Sequence, residues 1–454
     1  MKEKVLLPIV FVILFIPFLH SQETAFRILL DPRIELLSVI QSLSDWPEYG
    51  AFTKFDSRYR NEVNLYFQAY KDHDAVRWFN ENLKLGWSFD APPKAMMHLS
   101  YPPQMKIAIP FTEELFERGG GEKNLLLMVQ LLNQFIEDTG FEEFFASQQG
   151  FYTEFIDRIN NQIPFTAYTK LMQDFYGGQI SDFVFIPVPL FLGGYGYQLE
   201  REEGKTAFYF GGPHSIDQGL PVFEPKLLRI LIFHEFGHSF VNPVVYDFEQ
   251  ELNAYSSLFE YMKKDMRRQA YGEWTTVCHE HLVRTGEIFL NKLAGFPEEA
   301  EEIYNSYYES RKFLFLPFFR EKMDYYCSHR DEYPSFRSYF PELLKVFEEV
   351  EPVADKIVAG GMNFIMDINS DSCIIKRFDN NSPLEKAGCK PGDRINKINE
   401  IKFDGNNYFK IIKMWDEAKV GQEFSLEVTR NGENLEMLVV VPPDTTYTFR
   451  KKQK

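Results

Sequence analysis

The chain has 454 residues, of which 44% are hydrophobic and 25% charged, and this composition excludes a wholly disordered protein. Such a length exceeds what one small core can organise, so two or three domains are expected. Lys and Arg number 49 against 66 Asp and Glu, and this net charge of −17 predicts no nucleic-acid partner, because nucleic-acid binding needs a basic face.

The first 22 residues have the pattern of a signal peptide. Lys2 and Lys4 precede an apolar run from Val5 to Leu19, and a short polar stretch follows that run. Its 15 residues are fewer than the ~20 that a membrane-spanning helix needs, which favours removal over anchoring. We therefore expect an exported protein, periplasmic or secreted, with no stable membrane span after signal removal. An uncleaved membrane anchor is the alternative.

From about residue 23 to 180 the pattern is mainly helical, as in Leu125 to Ile136, where apolar residues recur at helical intervals. Asp182 to Leu190 and Thr206 to Phe210 then predict strands, separated by a Gly-rich turn at Gly193 to Gly196. Two prolines in the first strand favour an edge position, from which it could align an extended peptide.

A helix is predicted from about residue 225 to 240, ending at Asn242-Pro243. Further helical segments extend to about residue 350. Residues 351–360 have the composition of a connector.

The segment His234-Glu235-Phe236-Gly237-His238 is the most informative part of the chain. Residues four apart share one face of a helix, so both imidazoles can reach one metal ion. Glu235 lies beside that face, where it can act as general base toward a water molecule that Zn²⁺ acidifies. The apolar residues before His234 predict a buried helix, in which a metal would satisfy otherwise costly polar groups. The alternative is two histidines that bind no metal.

A catalytic zinc normally takes three protein ligands and keeps one position for water. His234 and His238 supply two, and no third His follows at the short metzincin spacing, which excludes that class. We favour Glu280 as the third ligand, with Arg284 one helical turn away to orient or neutralise it. An exposed helix carboxylate is the alternative for Glu280. The remaining candidates are acidic or imidazole side chains that follow His238: Glu260, which ranks next, Glu249, Glu251, His279 and His281.

Other polar side chains give a weaker signal. His214 lies in a turn and could approach the cleft. The four tyrosines that could each stabilise an oxyanion are Tyr255, Tyr304, Tyr307 and Tyr308.

The segment HEFGHSFVNP, together with the later Glu280-x-x-x-Arg284, resembles an uncharacterised family of exported domains that are regarded as gluzincin-type zinc metallopeptidases. The resemblance covers roughly residues 23–350. It implies an α+β fold, with a mainly helical zincin-like domain that carries a small antiparallel sheet. It also implies His234, His238 and Glu280 as ligands of one catalytic Zn²⁺, and Glu235 as the base. The 41 residues between His238 and Glu280 exceed the gap in compact gluzincins.

The C-terminal part, about residues 361–445, has short strands separated by turns. Asn431-Gly432 between two strand-like segments predicts a type I′ hairpin. Gly361-Met362-Asn363-Phe364 and the segment SPLEKAGCKPGDRI resemble bacterial PDZ domains, which implies a β-sandwich or barrel-like domain. In that resemblance Gly361, Met362, Asn363 and Phe364 hold a peptide carboxylate while the peptide adds as a strand. The alternative is a PDZ-like domain that only packs on the catalytic domain.

The domain order, a catalytic domain followed by a PDZ domain, is also similar to the glycyl aminopeptidase-like family. The long gap between His238 and Glu280 in this chain departs from the pattern of that family.

These features together predict an exported zinc-dependent peptidase that acts on a peptide or protein substrate. Its PDZ domain is expected to bind substrate or partner peptides by their C-termini. A competing hypothesis is a non-catalytic peptide-binding or scaffold protein with a structural zinc, whose site would have four protein ligands and no water. The third hypothesis is a metal-dependent hydrolase that acts on substrates other than peptides.

Overall fold

The structure is a computed structural model that describes residues 25–453, apart from residues 50, 51, 84, 161, 202, 203, 369–371, 379, 380 and 406. The predicted signal peptide lies outside these described residues. About half of the described chain is helical, with small antiparallel sheets and a sheet-rich C-terminal region. Within the described ranges, every helix is too short or too polar to cross a membrane.

The α-helices are, in chain order, α1 (Pro32–Leu43), α2 (Arg58–Phe67), α3 (Asp74–Leu83), α4 (Ala91–Met97), α5 (Glu113–Arg118), α6 (Glu122–Thr139), α7 (Phe141–Ser147), α8 (Gln149–Asn160), α9 (Phe165–Tyr176), α10 (Pro225–Asp247), α11 (Glu249–Asn253), α12 (Lys263–Arg267), α13 (Trp274–Leu293), α14 (Pro297–Asn305), α15 (Leu316–Ser328), α16 (Phe336–Glu349), α17 (Pro383–Lys386) and α18 (Tyr408–Asp416). The strands are β1 (Ala25–Ile28), β2 (Asp182–Pro187), β3 (Gly194–Arg201), β4 (Gly204–Gly211), β5 (Ser215–Asp217), β6 (Leu220–Val222), β7 (Val350–Ala359), β8 (Phe364–Ile368), β9 (Cys373–Phe378), β10 (Arg394–Ile398), β11 (Ile401–Lys402), β12 (Glu423–Arg430), β13 (Glu433–Val440) and β14 (Pro443–Lys451).

The chain folds into two units. The first contains the described residues up to 246, together with 282–301 and 327–339. The second contains residues 247–281, 302–326 and those from 340 onward. Helix α13 contributes residues to both.

A four-stranded mixed sheet organises the first unit, with the order β1-β2-β4-β3. Strands β1, β2 and β4 are parallel, and β3 is antiparallel to β4. Successive side chains of a strand point to opposite faces. Val184 and Phe208 accordingly join the core formed by the N-terminal helices, whereas Phe183 and Tyr209 make edge-to-face contacts with Phe236 of α10. The sheet therefore has helices on both faces, and α10 is fixed against one of them.

Strand β2 is central, so the prediction of an edge strand at Phe183 to Leu190 is wrong. Pro187 is the last residue of β2 and Pro189 follows the strand, so neither proline removes a donor from the strand interior. The edge strands are instead β1 and β3, and the first residues of β3, Gly194 to Gly196, were predicted as a turn. Glycine lowers strand propensity, and this hid the strand in the sequence.

Helix α10 begins where predicted, at Pro225, but it continues through Pro243 to Asp247. A proline inside a helix removes one backbone hydrogen bond and favours a kink or an end. The next residues, Val244 and Val245, are buried, and this apolar packing outweighs the lost bond. The predicted end at Asn242-Pro243 is therefore wrong.

A buried carboxyl lies in the N-terminal helices. Glu35 of α1 is 1% exposed and accepts hydrogen bonds from the hydroxyls of Tyr59 and Tyr152. Burial raises the pKa of Glu35 from 4.5 to about 7, although the two tyrosine hydrogen bonds oppose the rise.

This buried carboxyl predicts a pH-dependent stability. Because the folded state holds the Glu35 proton more tightly than the unfolded state, its contribution is complete below pH 4.5 and is lost as the pH rises through about 7. We expect the melting temperature of Glu35→Gln to vary less across this window than that of the native chain, by a few degrees in thermal unfolding. Glu113→Gln, at an exposed helix start, is the control and should keep the native pH dependence. Parallel pH profiles for the native chain and Glu35→Gln would contradict the assignment.

The second unit contains a six-stranded antiparallel sheet with the order β13-β12-β10-β9-β8, and β11 pairs with β10. The predicted hairpin is confirmed by β12 and β13, whose turn residues Asn431 and Gly432 have φ values of 52° and 85°. Residues 351–360 do not form the predicted connector. Residues 351–359 lie in β7, which pairs with β14. The strands of the second unit therefore continue to Lys451, past the predicted end of the domain at about residue 445.

Candidate metal centre

Two helices bring three potential metal ligands together. His234 and His238 lie one turn apart on α10, and Glu280 lies on α13. Their ligand atoms are all within 4.8 Å of one another. His234 and Glu280 are buried, at 8% and 7% exposure, and His238 is half-buried. This buried group could bind a metal ion.

The surroundings of His234 decide which of its nitrogens can bind an ion. Its Nδ1 is 3.1 Å from Glu287 Oε2 and 3.1 Å from Arg284 Nη1. If Nδ1 carries the proton, it donates to Glu287 and leaves the Nε2 lone pair for a metal. If Nδ1 instead accepts from Arg284, a neutral ring carries its proton on Nε2 and cannot bind there. A bound metal therefore selects the Glu287 hydrogen bond.

His238 has an equivalent support on its own helix. Its Nδ1 is 3.1 Å from Oδ1 of Asn242, one turn further along α10. An amide oxygen only accepts, so the ring donates through Nδ1 and Nε2 is available as a ligand. Both histidines thus have a neighbour that orients the ring.

Two imidazoles and a carboxylate suit a zinc ion. Zn²⁺ binds His nitrogen and carboxylate oxygen, and a His₂Glu set is one of its catalytic ligand combinations. Three ligands leave a fourth position open. Among the described residues, no further His, Cys, Asp or Glu joins the group.

The edge strand β3 passes directly over Glu235. A Cβ placed on Gly196 would lie 2.2 Å from the backbone oxygen of Glu235, and a Cβ on Gly194 would lie 3.4 Å from Glu235 Oε1. The strand can approach the helix this closely only because these two positions have no side chain. The backbone of β3 therefore borders the Glu235 carboxylate.

The charge of Glu235 affects the pKa of two tyrosines of the sheet, Tyr209 and Tyr195. Burial raises the pKa of Tyr209 and of Tyr195, and the Glu235 charge raises both further, with Asp90 also acting on Tyr195. Both hydroxyls therefore stay protonated at neutral pH. Tyr195 lies on β3 between the two glycines that face Glu235, so its side chain is on the opposite face of the sheet. There it packs against Phe191 and the core of the N-terminal helices.

The other candidate ligands lie elsewhere. His281 is fully buried among Phe313 and Phe315, with Nδ1 2.8 Å from the Val277 oxygen. Glu260 forms an ion pair with Lys263. His279, Glu249 and Glu251 are likewise outside the His234, His238 and Glu280 group.

The weaker candidates have other contacts. His214 Nδ1 accepts from the Glu224 backbone N–H, and burial lowers the pKa of this histidine. Of the four tyrosines proposed as oxyanion donors, Tyr255 donates to Glu348 at 2.7 Å.

Arg284 was predicted to orient or neutralise Glu280, one helical turn away. The structure also places its guanidinium against His234, with Nη1 3.1 Å from Nδ1. Glu287 was not among the predicted site residues, although Glu280, Arg284 and Glu287 follow at intervals of four and three residues on one helix face. That spacing is a signal that could have indicated the support of His234.

The predicted PDZ loop, Gly361 to Phe364, leads into β8, the edge strand of the C-terminal sheet. Trp415 Nε1 donates to the Gly360 oxygen at 2.8 Å, and Ser382 Oγ donates to the Met362 oxygen at 3.0 Å. These bonds use the loop carbonyls. The backbone N–H groups of Gly361 and Met362 donate to no group in the described part of the chain. The loop can therefore offer backbone donors to a ligand.

Solved structures similar to parts of this chain include a serine endoprotease from Yersinia pestis, with 16% identity over 19% of this chain and 30% of that chain and a TM-score of 0.17. The HtrA3 PDZ domain bound to a phage-derived ligand is 16% identical over 22% of this chain and 92% of that chain, with a TM-score of 0.16. An aminopeptidase N family protein from Idiomarina loihiensis is 9% identical over 63% of this chain and 64% of that chain, with a TM-score of 0.28. The chain spans about a third of the length of the HtrA-type proteases that it matches.

Family profiles match most of the chain. A PDZ domain is found at residues 360–441, and this identifies a peptide-binding module. Among curated proteins, no relative matches. The profile of a domain of unknown function covers residues 26–346, well over half of the sequence, and the chain therefore belongs to the DUF4932 family.

Proposed function

We propose that this protein is an exported zinc-dependent peptidase whose PDZ domain binds substrate or partner peptides. The observation that carries the proposal is the convergence of His234, His238 and Glu280 beside the Glu235 carboxylate. A gluzincin-type arrangement, with two helix histidines and a glutamate from a later helix, accounts for all four residues. The pattern of residues 1–22 supports export.

Different residues of the chain have different roles in the proposed peptide hydrolysis. When bound by His234, His238 and Glu280, Zn²⁺ would acidify a water molecule and polarise the peptide carbonyl. Glu235 would take the proton of the attacking water and return it to the leaving amine.

Strand β3 supplies a way to orient the peptide. It is an edge strand, so its outer backbone groups can pair with an extended substrate. The strand also borders Glu235, so a peptide paired with it would lie next to the base. This replaces the role that the sequence assigned to Phe183 to Leu190.

The non-catalytic alternative requires a saturated zinc site. Within the described residues the group has three ligands rather than four, which favours an open position. Glu235 is also buried beside the edge strand β3, a position that suits a base next to a bound peptide and that a structural zinc site does not use.

Zinc content tests the ligand set. We expect about one Zn²⁺ per native chain by plasma mass spectrometry and a loss of metal in His234→Ala, because a site with two ligands binds zinc weakly. Glu280→Ala should lose zinc as well, whereas Glu260→Ala, which removes the next-ranked carboxylate, should keep it. Hydrolysis of labelled casein should fall with the zinc. Full zinc content in Glu280→Ala would exclude Glu280 as the third ligand.

A further inference from the structure

A wide groove in the second unit lies outside the candidate metal centre. It has a volume of about 1120 Å³, and its lining includes the loop Gly360 to Asn363, Phe364 and Met366 of β8, and Tyr408 and Ile412 of α18. These are the PDZ loop, the edge strand and a helix. The groove is thus the place where a peptide strand would add to β8.

One wall of this groove comes from outside the PDZ domain. Helix α12, which belongs to the DUF4932 segment, lines it through Lys263, Lys264 and Arg267, and Arg268 follows that helix. Lys264 Nζ is 3.1 Å from Asp444 Oδ2 and donates to the Ala359 oxygen at 3.1 Å. Arg268 forms an ion pair with Asp416 of α18 at 2.6 Å. These contacts hold α12 along the groove.

The groove is positively charged in a chain that is strongly acidic. Six cationic and three anionic side chains line it, an excess of three positive charges, while the chain carries −17. The three anions are Glu260, Asp416 and Asp444, and each is paired with a cation of the α12 region. No groove carboxylate therefore remains to balance the other cations.

Two cations of the PDZ domain are available to a ligand. Arg377 of β9 and Lys386 of α17 line the groove and are exposed. Within the described ranges of the chain, neither forms an ion pair. An acidic side chain of a bound peptide is the complementary partner for these charges.

We propose that the groove selects C-terminal peptides with acidic side chains just before the free carboxylate, and that Arg377 and Lys386 are the specificity-determining residues. This inference rests on the peptide-binding function proposed above and adds the class of peptide. The apolar floor at Phe364, Met366 and Ile412 suits a hydrophobic last residue.

Fluorescence anisotropy with labelled decapeptides tests the preference. The full chain should carry Glu235→Gln, so that the probes are not hydrolysed. One probe ends in four glutamates followed by leucine, and a second replaces those glutamates with glutamine. We expect the glutamate probe to bind about tenfold more tightly than the glutamine probe, and this advantage should shrink when NaCl rises from about 0.05 M to about 0.3 M.

Charge-reversal variants connect the preference to the groove. The double variant Arg377→Glu/Lys386→Glu should lose the preference for the glutamate probe and still bind the glutamine probe. Lys419→Glu, an exposed lysine outside the groove, is the matched control and should keep the preference. Circular dichroism verifies that each variant is folded.

Each result decides between the proposals. Equal affinity of the native groove for both probes, or an unchanged preference in the double variant, would overturn the acidic specificity while leaving peptide binding intact. If neither probe binds, both the acidic specificity and the peptide-binding function of the PDZ domain are overturned.

Discussion

Glu235→Gln should abolish peptide hydrolysis and leave the zinc content unchanged. Glutamine has nearly the same shape as glutamate but cannot accept the proton of the attacking water. We expect a rate loss of about 10²–10⁴-fold, the usual contribution of general acid–base catalysis. Initial rates on labelled casein, measured beside metal content in the same preparation, check this prediction.

The control for this prediction is Glu251→Gln, which makes the same change at an exposed glutamate of α11 and should retain full activity. A chelator should inactivate the native chain, and added zinc should restore it. Zinc-dependent hydrolysis by Glu235→Gln at the native rate would mean that another group acts as the base.

Gly196→Ala should impair the site without touching a ligand. The added methyl group would lie 2.2 Å from the Glu235 backbone oxygen, so β3 must move away from α10. Overpacking of this kind costs about 1–3 kcal/mol, and displacement of the strand would also misplace a bound peptide. We expect a lower melting temperature and a loss of activity of at least about tenfold, while zinc is still bound.

Gly150→Ala is the matched control for this substitution. Its methyl group would meet no atom within 4 Å, and the position is inside helix α8, where alanine is preferred over glycine. It should leave activity unchanged and stability equal or higher. A Gly196→Ala chain with native stability and activity would show that β3 and α10 are not in the close contact described above.

The sequence predicted those parts of the fold in which local chemistry decides. The Asn431-Gly432 turn needs positive φ at both central residues, and few other dipeptides accept it. The start of α10 was equally readable from Pro225. Sheet order depends on long-range pairing, so neither the central place of β2 nor the edge place of β3 could be deduced from their residues.

In the candidate site, too, the features set by local sequence could be predicted, and those set by packing between distant segments could not. The spacing of His234 and His238 fixes their common face on any helix, so their proximity followed from the sequence. The pairing of Nδ1 of His234 with Glu287 required knowing how α10 and α13 pack. Gly237 contributes to that packing, since a Cβ there would already touch Val283 at 3.4 Å.

The single face of α13 that carries Glu280, Arg284 and Glu287 has a consequence for chain-length variation. Inserting one residue between Glu280 and Glu287 would rotate the two carboxylates by about 100° relative to each other about the helix axis. Glu280 and Glu287 could then no longer face the metal position and the His234 Nδ1 atom at the same time. The stretch from Phe248 to Glu273 connects α10 to α13 and does not set the angle between the Glu280 and Glu287 side chains. Related chains should therefore keep the register within α13 invariant, whereas metal coordination sets no fixed length for the 41 residues between His238 and Glu280.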